Sequence, residues 1–403
     1  MNIQSPTASA DVAPATLVER ARALVPLLAE RAAETEKERR VSDEIIETMR
    51  AADLYRVLQP KRYGGFEQDF HTVMDITCEL GRGCASTAWV YSGYAVSNFL
   101  IALFPAEAQE EVWGNDREAR CAGSYAPIAT TRLADGGYRV SGRWSFASGI
   151  DGAQWAVLGV IFEATEQGGR PKPGFLLVPA RDFTLDDDWH TIGLAGTGSK
   201  TIVATDLSVP AHRAVTFDDL RAGTTPGSRI HANPLYRTPF NAISSTLLIS
   251  SALGGAQGAA EAFLASIQER STRGGAHGAG ARVAEFPTVQ IRYAEATACL
   301  DAARLLLRRD LDEVRDTIQA GEQVSVATRI RCRRDHGFAL DLAVRAVEAV
   351  YAGFGGQGLY THHTLQRFWR DVRAAGKHVS YNWDVVATMY GQHAFGLEPK
   401  GQY

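Results

Sequence analysis

The hydrophobic period of this 403-residue chain changes twice, and this change constrains the fold more than any other feature of the sequence. From about Ala15 to Phe104, apolar residues recur every three or four positions, which is typical of amphipathic helices. From about Cys121 to Val215, short apolar runs alternate with turn residues instead. After a Gly- and Pro-rich stretch, Gly223–Pro239, the helical period returns. The order is therefore helices, sheet, helices, and it differs from the alternating order of a doubly wound sheet.

Local patterns place the elements within these three sections. Ser42, followed by two acidic residues, predicts the start of the second helix, because a serine cap and early negative charge both favour a helix start. Four long helices are predicted in the last section, at 252–271, 289–320, 324–351 and 365–391. Four strands of a compact antiparallel sheet are predicted in the middle section, at Tyr138–Gly142, Trp155–Val160, Gly174–Val178 and Thr201–Ala204.

The predicted fold is mainly α with a central β domain. A disordered start is expected over residues 1–14, followed by an N-terminal helical domain over 15–118. A middle β domain follows over 119–222, and a C-terminal helical bundle over 223–403.

Composition excludes several classes of partner. The net charge is -4 and no basic block is present, so nucleic acid is not an expected partner. The longest apolar stretch, Ala242–Leu253, is shorter than the roughly 20 residues that span a bilayer, so no membrane span is predicted. The five cysteines are odd in number and scattered, which favours a reducing compartment, the cytoplasm, over a disulfide framework. No group of His, Cys or acidic residues has metal-ligand spacing, so no metal is expected.

Several segments, in this order, resemble the acyl-CoA dehydrogenase superfamily. Pro60–Gly65 is similar to its PxxYGG stretch, and Trp189–Ser199 is similar to its LGxRGTxS segment, with Ala195 where the family usually has arginine. The VxVPxxR strand end of the family is matched by Asp206–Arg213. Gly355–Gly358, followed by the Arg370–Asp371 pair, is similar to the family's GGxG and RD motifs.

Three further stretches resemble the flavin-dependent monooxygenase branch of that superfamily, whose members hydroxylate phenols and indoles. They are Ser86–Val90, Arg143–Gly149 and Trp369–Val379. Dehydrogenases of the superfamily commonly carry an acidic base about eight residues beyond the Arg-Asp pair. The corresponding residues 377–382 contain no acid, and Asp384 is more than a helical turn too far along. The resemblance therefore favours an oxygenase.

This resemblance implies the reaction and its partners. We expect hydroxylation of a small phenol or indole through a flavin C4a-hydroperoxide, with molecular oxygen as co-substrate. Reduced FAD or FMN would come from a separate NAD(P)H-flavin reductase, since no GxGxxG motif follows an N-terminal strand. The resemblance also implies a homotetramer. Two alternatives remain open: an acyl-CoA dehydrogenase-like dehydrogenase or oxidase with its base elsewhere, and a non-catalytic helical assembly protein.

Two residues are the predicted catalytic groups. His378 is expected to accept the substrate's acidic proton or to orient that group by hydrogen bonding, with Asp371 seven residues earlier on the same helical face. A structural histidine at a helix–helix contact is the alternative. Ser148 is expected at the flavin N5 edge, where Gly149 would allow the backbone to approach a planar cofactor. Ser145 is its rival.

The remaining candidates would bind the cofactor or the substrate. Trp144 is either a flavin-stacking residue or sheet core, and Thr197 and Ser199 lie in either a cofactor-binding glycine loop or a hairpin turn. Glycines of the GGxG motif would let a second subunit approach the flavin, or would cap a helix; they are Gly355, Gly356 and Gly358. Aromatic residues could form a substrate pocket, although such residues are more often core; they are Trp89, Tyr94, Phe99, Tyr125 and Trp383.

Overall fold

The computed structural model describes residues 12–134, 136–164, 169–273 and 279–403. Most of the predicted disordered start lies outside these residues, and the first helix begins at Pro14. Helices and sheets follow the predicted order, so the fold predicted from the hydrophobic period is confirmed.

The N-terminal helical layer ends in a helix that is buried on nearly all sides. Its α-helices are α1 Pro14–Glu38, α2 Asp43–Ala51, α3 Phe70–Gly83, α4 Ala85–Ile101 and α5 Ala106–Trp113. Ser42 caps α2 as predicted, because its side-chain oxygen accepts a hydrogen bond from the Ile45 N–H at 3.3 Å. In α4 every residue except Gly93 is buried, which places this helix between the other layers.

The middle section forms two four-stranded sheets. Its strands are β1 Cys121–Thr130, β2 Arg132–Ala134, β3 Gly137–Ala147, β4 Trp155–Phe162, β5 Lys172–Pro179, β6 Thr184–Asp186, β7 Lys200–Pro210 and β8 Ala214–Thr216. One sheet has the order β1-β4-β5-β8 and the other β2-β3-β7-β6. The four predicted strands lie within β3, β4, β5 and β7 and are confirmed.

The prediction of a purely antiparallel sheet is wrong at one pair of strands. β1 and β4 run parallel, with Cys121 opposite Trp155 and Ser124 opposite Leu158. They can do so because β2 and β3, which separate them in the chain, belong to the other sheet. Hydrophobic patterning marks strands but does not identify their partners.

The C-terminal section consists of long packed helices, preceded by short ones. Its helices are α6 Phe217–Ala222, α7 Pro226–Ile230, α8 Phe240–Glu269, α9 Pro287–Gln319, α10 Val326–Phe354, α11 Thr364–Ala375 and α12 Trp383–Ala394. A small hairpin of β9 Ser271–Arg273 and β10 Ala279–Arg282 follows α8.

The predicted single helix over 365–391 is wrong, since the chain leaves the helix at Gly376. It passes through a 3-10 turn, Val379–Tyr381, before α12 begins. Two side chains stabilise this break. His378 accepts a hydrogen bond from the Ser380 N–H, and Asn382 accepts one from the Val385 N–H. His378 and Asp371 therefore do not share one helical face.

Helix α8 lies at the centre of the helical packing, where it contacts α3, α4, α10 and α11. By length and composition alone it could cross a membrane, but 72% of its most apolar window is buried in the protein, as in a core helix. It approaches α3 closely where Gly254 meets Gly81. A Cβ atom on Gly254 would lie 2.3 Å from the Cys78 carbonyl oxygen.

This close contact predicts the effect of a single methyl group. Gly254→Ala should destabilise the protein by about 1–3 kcal/mol, the usual cost of overpacking, because backbone rather than a flexible side chain blocks the new Cβ atom. Gly93→Ala in α4 is the matched control, since nothing lies within 4 Å of its Cβ position. Urea unfolding midpoints of the two variants provide the measurement. A Gly254→Ala midpoint equal to that of Gly93→Ala would contradict the packing described here.

Candidate active site

A cavity lies where the sheet section meets α8 and α10. Its empty space is about 680 Å³, a figure that includes solvent at its open mouth. Aromatic side chains form much of its wall: Tyr125, Phe175, Phe217, Phe240 and Tyr381. His378, Arg333, Ser245 and Ser380 add polar groups, and no aspartate or glutamate lines the cavity among the described residues.

His378 lies in this cavity because the helix breaks before it. Its ring stacks on Tyr381 at 4.8 Å between centroids and lies 5.6 Å from the Trp89 ring. Burial, and to a smaller extent the charge of Arg333, lower the pKa of His378 to about 4. The imidazole is therefore neutral at neutral pH.

The hydrogen bonding of His378 also fixes its tautomer. Its Nδ1 accepts from the Ser380 N–H at 3.3 Å, so the proton of the neutral ring is on Nε2. Within the described residues, Nε2 has no hydrogen-bond partner. The ring therefore offers an N–H donor to a ligand. Of the two roles predicted for His378, this arrangement favours orienting the substrate over removing its proton.

Ser148 is part of a chain of hydroxyl groups on the other side of Trp89. The indole Nε1–H of Trp89 lies 3.1 Å from Ser148 Oγ, and Ser148 Oγ lies 2.6 Å from Ser199 Oγ. Ser199 Oγ is 2.6 Å from Thr197 Oγ1, which donates to the Leu194 carbonyl at 2.8 Å. The structure therefore brings Ser148, Thr197 and Ser199, three of the predicted cofactor-binding residues, into contact with one another.

The two ends of this chain fix the direction of every hydrogen bond in it. The indole N–H can only donate and the Leu194 carbonyl can only accept. Thr197 must then accept from Ser199, and Ser199 must accept from Ser148. As a result, the Ser148 proton is committed to Ser199, while one lone pair of Ser148 remains free. Ser148 is a hydrogen-bond acceptor for any group outside the chain.

This polarity fits a reduced flavin. N5 of a reduced flavin carries a hydrogen that Ser148 could accept, whereas N5 of an oxidised flavin presents only a lone pair. The neighbouring surface suits a flat ring as well. Phe146, in a left-handed conformation with φ 65°, is 68% exposed and makes an edge contact with Trp189 at 5.7 Å. Ile192, three residues after Trp189 in the chain, is also exposed.

The glycine loop that carries Thr197 and Ser199 is tied to the C-terminal helices. The Leu194 N–H donates to Asp371 Oδ1 at 2.6 Å, and burial raises the pKa of this carboxyl group to about 6. Arg370 donates to the Ile192 carbonyl at 2.7 Å and pairs with Glu36 of α1. Asp371 thus holds the glycine loop in position without itself lining the cavity.

Other predicted residues lie away from this site. Trp144 is fully buried and donates to the Gly159 carbonyl at 2.8 Å, so it occupies the core position that was the alternative to flavin stacking. Tyr94 is buried behind the Ser148 turn, with its hydroxyl donating to the Gly149 carbonyl. Phe99 packs in the core on Phe70.

Gly149 has a positive φ of 75°, and a Cβ atom there would meet Val90 of α4 at 2.7 Å. The glycine is therefore needed for packing against α4. Trp383 packs on Phe338 and does not line the cavity, whereas Trp89 and Tyr125 belong to the site. The structure therefore brings two of the predicted pocket residues to the site.

The three glycines of the GGxG motif lie far from His378 within one chain. They follow the end of α10, whereas Arg333, beside the His378 turn, lies near its start. At 1.5 Å per residue, the 22 positions from Arg333 to Gly355 span roughly 33 Å. Gly355 and Gly356 are exposed, with nothing within 4 Å of their Cβ positions, and Gly358 packs on Tyr351.

Sequence reasoning missed Arg333, the buried cation of the cavity. The segment 329–334 contains four arginines, and a helical period assigns such residues to a solvated face. The one available signal is the register of α10, which places Arg333 on the face that carries Ile330 and Gly337, both buried. No group of three or more His, Cys, Asp or Glu side chains within the described ranges is arranged to hold a metal.

Comparison with known proteins identifies the family of this chain. Residues 16–116 match the family profile "Acyl-CoA dehydrogenase, N-terminal domain", and residues 247–383 match "Acyl-CoA dehydrogenase, C-terminal domain". The chain is 42% identical to the oxygenase component of an FADH2-dependent resorcinol hydroxylase from a Rhizobium species, over 96% of each chain.

Solved structures show the same relationship. The crystal structure of a 3-HSA hydroxylase from a Rhodococcus species superposes with a TM-score of 0.90 at 35% identity, covering 96% of this chain and 98% of the other. XiaF from a Streptomyces species, in complex with FADH2 and glycerol, gives a TM-score of 0.88 at 31% identity, with coverage of 96% and 97%. This chain therefore belongs to the acyl-CoA dehydrogenase family, and within it to the flavin-dependent monooxygenases.

Proposed function

We propose that the chain is the oxygenase component of a two-component aromatic hydroxylase, which uses reduced flavin and molecular oxygen to hydroxylate a small phenol or indole. One observation carries the proposal: the Trp89 indole contacts Ser148 with its N–H and lies beside His378 with its ring. The hydroxyl chain suited to a reduced flavin and the aromatic cavity are therefore adjacent, separated by one side chain. The bound reduced flavin supplies the activation of oxygen.

The residues of the chain bind and orient the reactants. Ser148 would accept a hydrogen bond from the reduced ring, since Thr197 and Ser199 engage the Ser148 proton and leave one Ser148 lone pair free. His378 donates from Nε2 to the oxygen or nitrogen substituent of the substrate. The aromatic wall around Tyr125 excludes water, which would otherwise favour loss of the activated oxygen as hydrogen peroxide.

Several further features of the proposal rest on the relatives. Reduced FAD is the proposed cofactor, since the resorcinol hydroxylase relative is FADH2-dependent and XiaF contains FADH2. The words "oxygenase component" support a separate reductase. A cytoplasmic location fits five free cysteines, all buried. The dehydrogenase alternative is less well supported, because no carboxylate among the described residues lines the cavity to abstract a carbon-bound proton.

A homotetramer is proposed from the surface of the C-terminal end. Large apolar residues are exposed there on and around α12: Val379, Val385, Phe395 and Leu397. Such a group of exposed apolar side chains marks an interaction surface. Subunit association would also bring Gly355 and Gly356 of one subunit to the flavin of another, which the distance along α10 prevents within one chain.

The first test asks whether the chain alone can take electrons from NADH, and whether His378 acts in hydroxylation. The purified chain alone should consume no NADH, and should form hydroxylated product once a flavin reductase and FAD are added. His378→Ala should then slow hydroxylation roughly 2- to 12-fold, since a hydrogen bond between neutral groups contributes about 0.5–1.5 kcal/mol. Oxygen should be released as hydrogen peroxide instead.

His212→Ala provides the control for this variant, because His212 lies on the sheet section beside Glu111, away from the cavity. NADH oxidation by the lone chain would contradict the two-component proposal. Hydroxylation by His378→Ala at the parent rate would assign His378 a structural role only.

The second test concerns the direction of the hydroxyl chain. Ser199→Ala removes the acceptor of the Ser148 proton, so Ser148 can then also donate to the oxidised ring. The preference of the protein for reduced over oxidised FAD should fall roughly 3- to 10-fold, the value of one neutral hydrogen bond. Anaerobic and aerobic flavin titrations measure it. Ser208→Ala, at an exposed position of β7, the strand that follows Ser199, should leave the preference unchanged. An unchanged preference in Ser199→Ala would contradict the assigned direction.

The third test concerns assembly. Light scattering at micromolar protein concentration should give the mass of a tetramer. Replacing both Phe395 and Leu397 with glutamate should lower that mass, because two charges would be placed in the apolar surface. A monomeric parent protein would contradict the tetramer.

A further inference from the structure

Arg333 is a buried cation in the wall of the cavity. Its Nη1 donates to Ser245 Oγ at 2.6 Å, and its Nη2 donates to the Ser380 carbonyl at 2.7 Å. Its Nε is buried and has no partner. Both partners that it has are neutral. No carboxylate of the described residues lies within 4 Å of this guanidinium, although Arg333 is only 9% exposed.

Two neighbouring arginines of α10 do have acidic partners. Arg331 pairs with Glu313 at 2.7 Å, and Arg334 pairs with Asp335 at 2.6 Å. These acids lie on the α9 side of the helix together with Asp310, away from the cavity. Arg333, on the cavity side, is left without a counter-charge.

An unpaired guanidinium in the protein interior is costly. The desolvation of a buried charge costs several kcal/mol, and an arginine cannot avoid this by losing its proton. Such a group is retained where an anion from outside the chain provides the missing charge. The location of the cation in the wall of an aromatic cavity points to a bound anion rather than to folding.

No other described group of the cavity lining offsets the positive charge of Arg333. His378 is neutral, and burial raises the pKa values of the Tyr125 and Tyr381 hydroxyls, so neither tyrosine supplies an anion. The second arginine of the lining, Arg221, is on the exposed side. The cavity therefore carries an uncompensated positive charge within aromatic walls.

We propose that Arg333 is the counter-ion of a phenolate, and that the substrate of this enzyme is a phenol bound in its ionised form. The inference rests on the proposed function and narrows its substrate class from phenols and indoles to phenols. The phenol loses its O–H proton to solvent on binding. The resulting oxyanion lies between the Arg333 guanidinium and the Nε2–H of His378.

Two observations link these groups. The Ser380 carbonyl accepts from Arg333, while the Ser380 N–H donates to His378 Nδ1. One peptide turn thus holds both groups that would contact the oxyanion. Ionisation also serves the reaction, since a phenolate donates more electron density to its ring than a phenol does. The ring carbon that attacks the activated oxygen is then a stronger nucleophile.

A binding titration with 4-nitrophenol tests the inference without any turnover. The phenol and phenolate forms of this probe have different visible spectra, so its ionisation can be followed on the purified full-length protein. The parent protein should lower the pKa of bound nitrophenol by about 1–3 units, as an opposite charge within a few ångströms does. Arg333→Gln should abolish that shift, and Arg333→Lys should retain part of it. Arg221→Gln should leave it nearly unchanged, because an exposed charge is screened by solvent.

A second probe tests whether the Arg333→Gln substitution has simply disrupted the cavity. 4-Nitroanisole has the same ring but cannot ionise, and it should bind to the parent protein and to Arg333→Gln with similar affinity. An unshifted or raised pKa of nitrophenol on the parent protein overturns the inference. So does a shift that survives in Arg333→Gln, or failure of nitrophenol to bind.

These outcomes are separable from those of the proposed function. Hydroxylated product together with an unshifted nitrophenol would overturn the role of Arg333 alone. A shift that depends on Arg333, with no hydroxylated product from any phenol, would overturn the proposed reaction and leave a phenolate-binding site.

Discussion

The hydrogen bond from the Leu194 N–H to the buried Asp371 carboxylate is the contact on which the site depends. It joins the glycine loop of the sheet section to α11, two parts of the chain separated by 177 residues. Because the Leu194 carbonyl also accepts from Thr197, the position of this one residue sets the end of the hydroxyl chain that leads to Ser148. The arginine that the family usually has at the next position is absent, and the small Ala195 is buried there. In this chain the loop is fixed by Asp371 and by Arg370, which pairs with Glu36.

A second junction, the turn that carries His378, positions the substrate-binding side of the site. The helix ends at Gly376, and the following turn directs His378 toward α4 and α10 instead of along a helix surface. Arg333 binds the carbonyl of this turn, so the buried cation both positions the histidine and faces the same cavity. Trp89 links the two sides of the site, since its indole N–H donates to Ser148 and its ring lies 5.6 Å from the His378 ring. The N-terminal helices, the sheets and the C-terminal helices therefore each contribute one part of the site.

Much of this could be predicted from the sequence, for identifiable reasons. The periods of the long helices, the cap at Ser42 and four strands are local properties, and local patterns predict them well. The grouping of Ser148, Thr197 and Ser199 came from resemblance to the family rather than from spacing. The predictions that were wrong concern features that depend on tertiary context. The break after Gly376 interrupts residues that favour a helix, and the parallel pairing of β1 with β4 depends on which sheet receives β2 and β3. Trp144 and Tyr125 are both aromatic residues of strands, and only the packing of the layers places one in the core and the other in the cavity.

The central claim is that this protein transfers one atom of molecular oxygen to a phenol by means of a reduced flavin that it does not itself reduce. The most direct measurement supplies chemically reduced FAD to the protein without oxygen, adds a phenol, and then admits isotopically labelled O2. The account predicts one labelled oxygen atom in the hydroxylated ring, with no nicotinamide and no reductase present. Product that contains oxygen from unlabelled water, or full recovery of the phenol while the flavin is reoxidised, would contradict it.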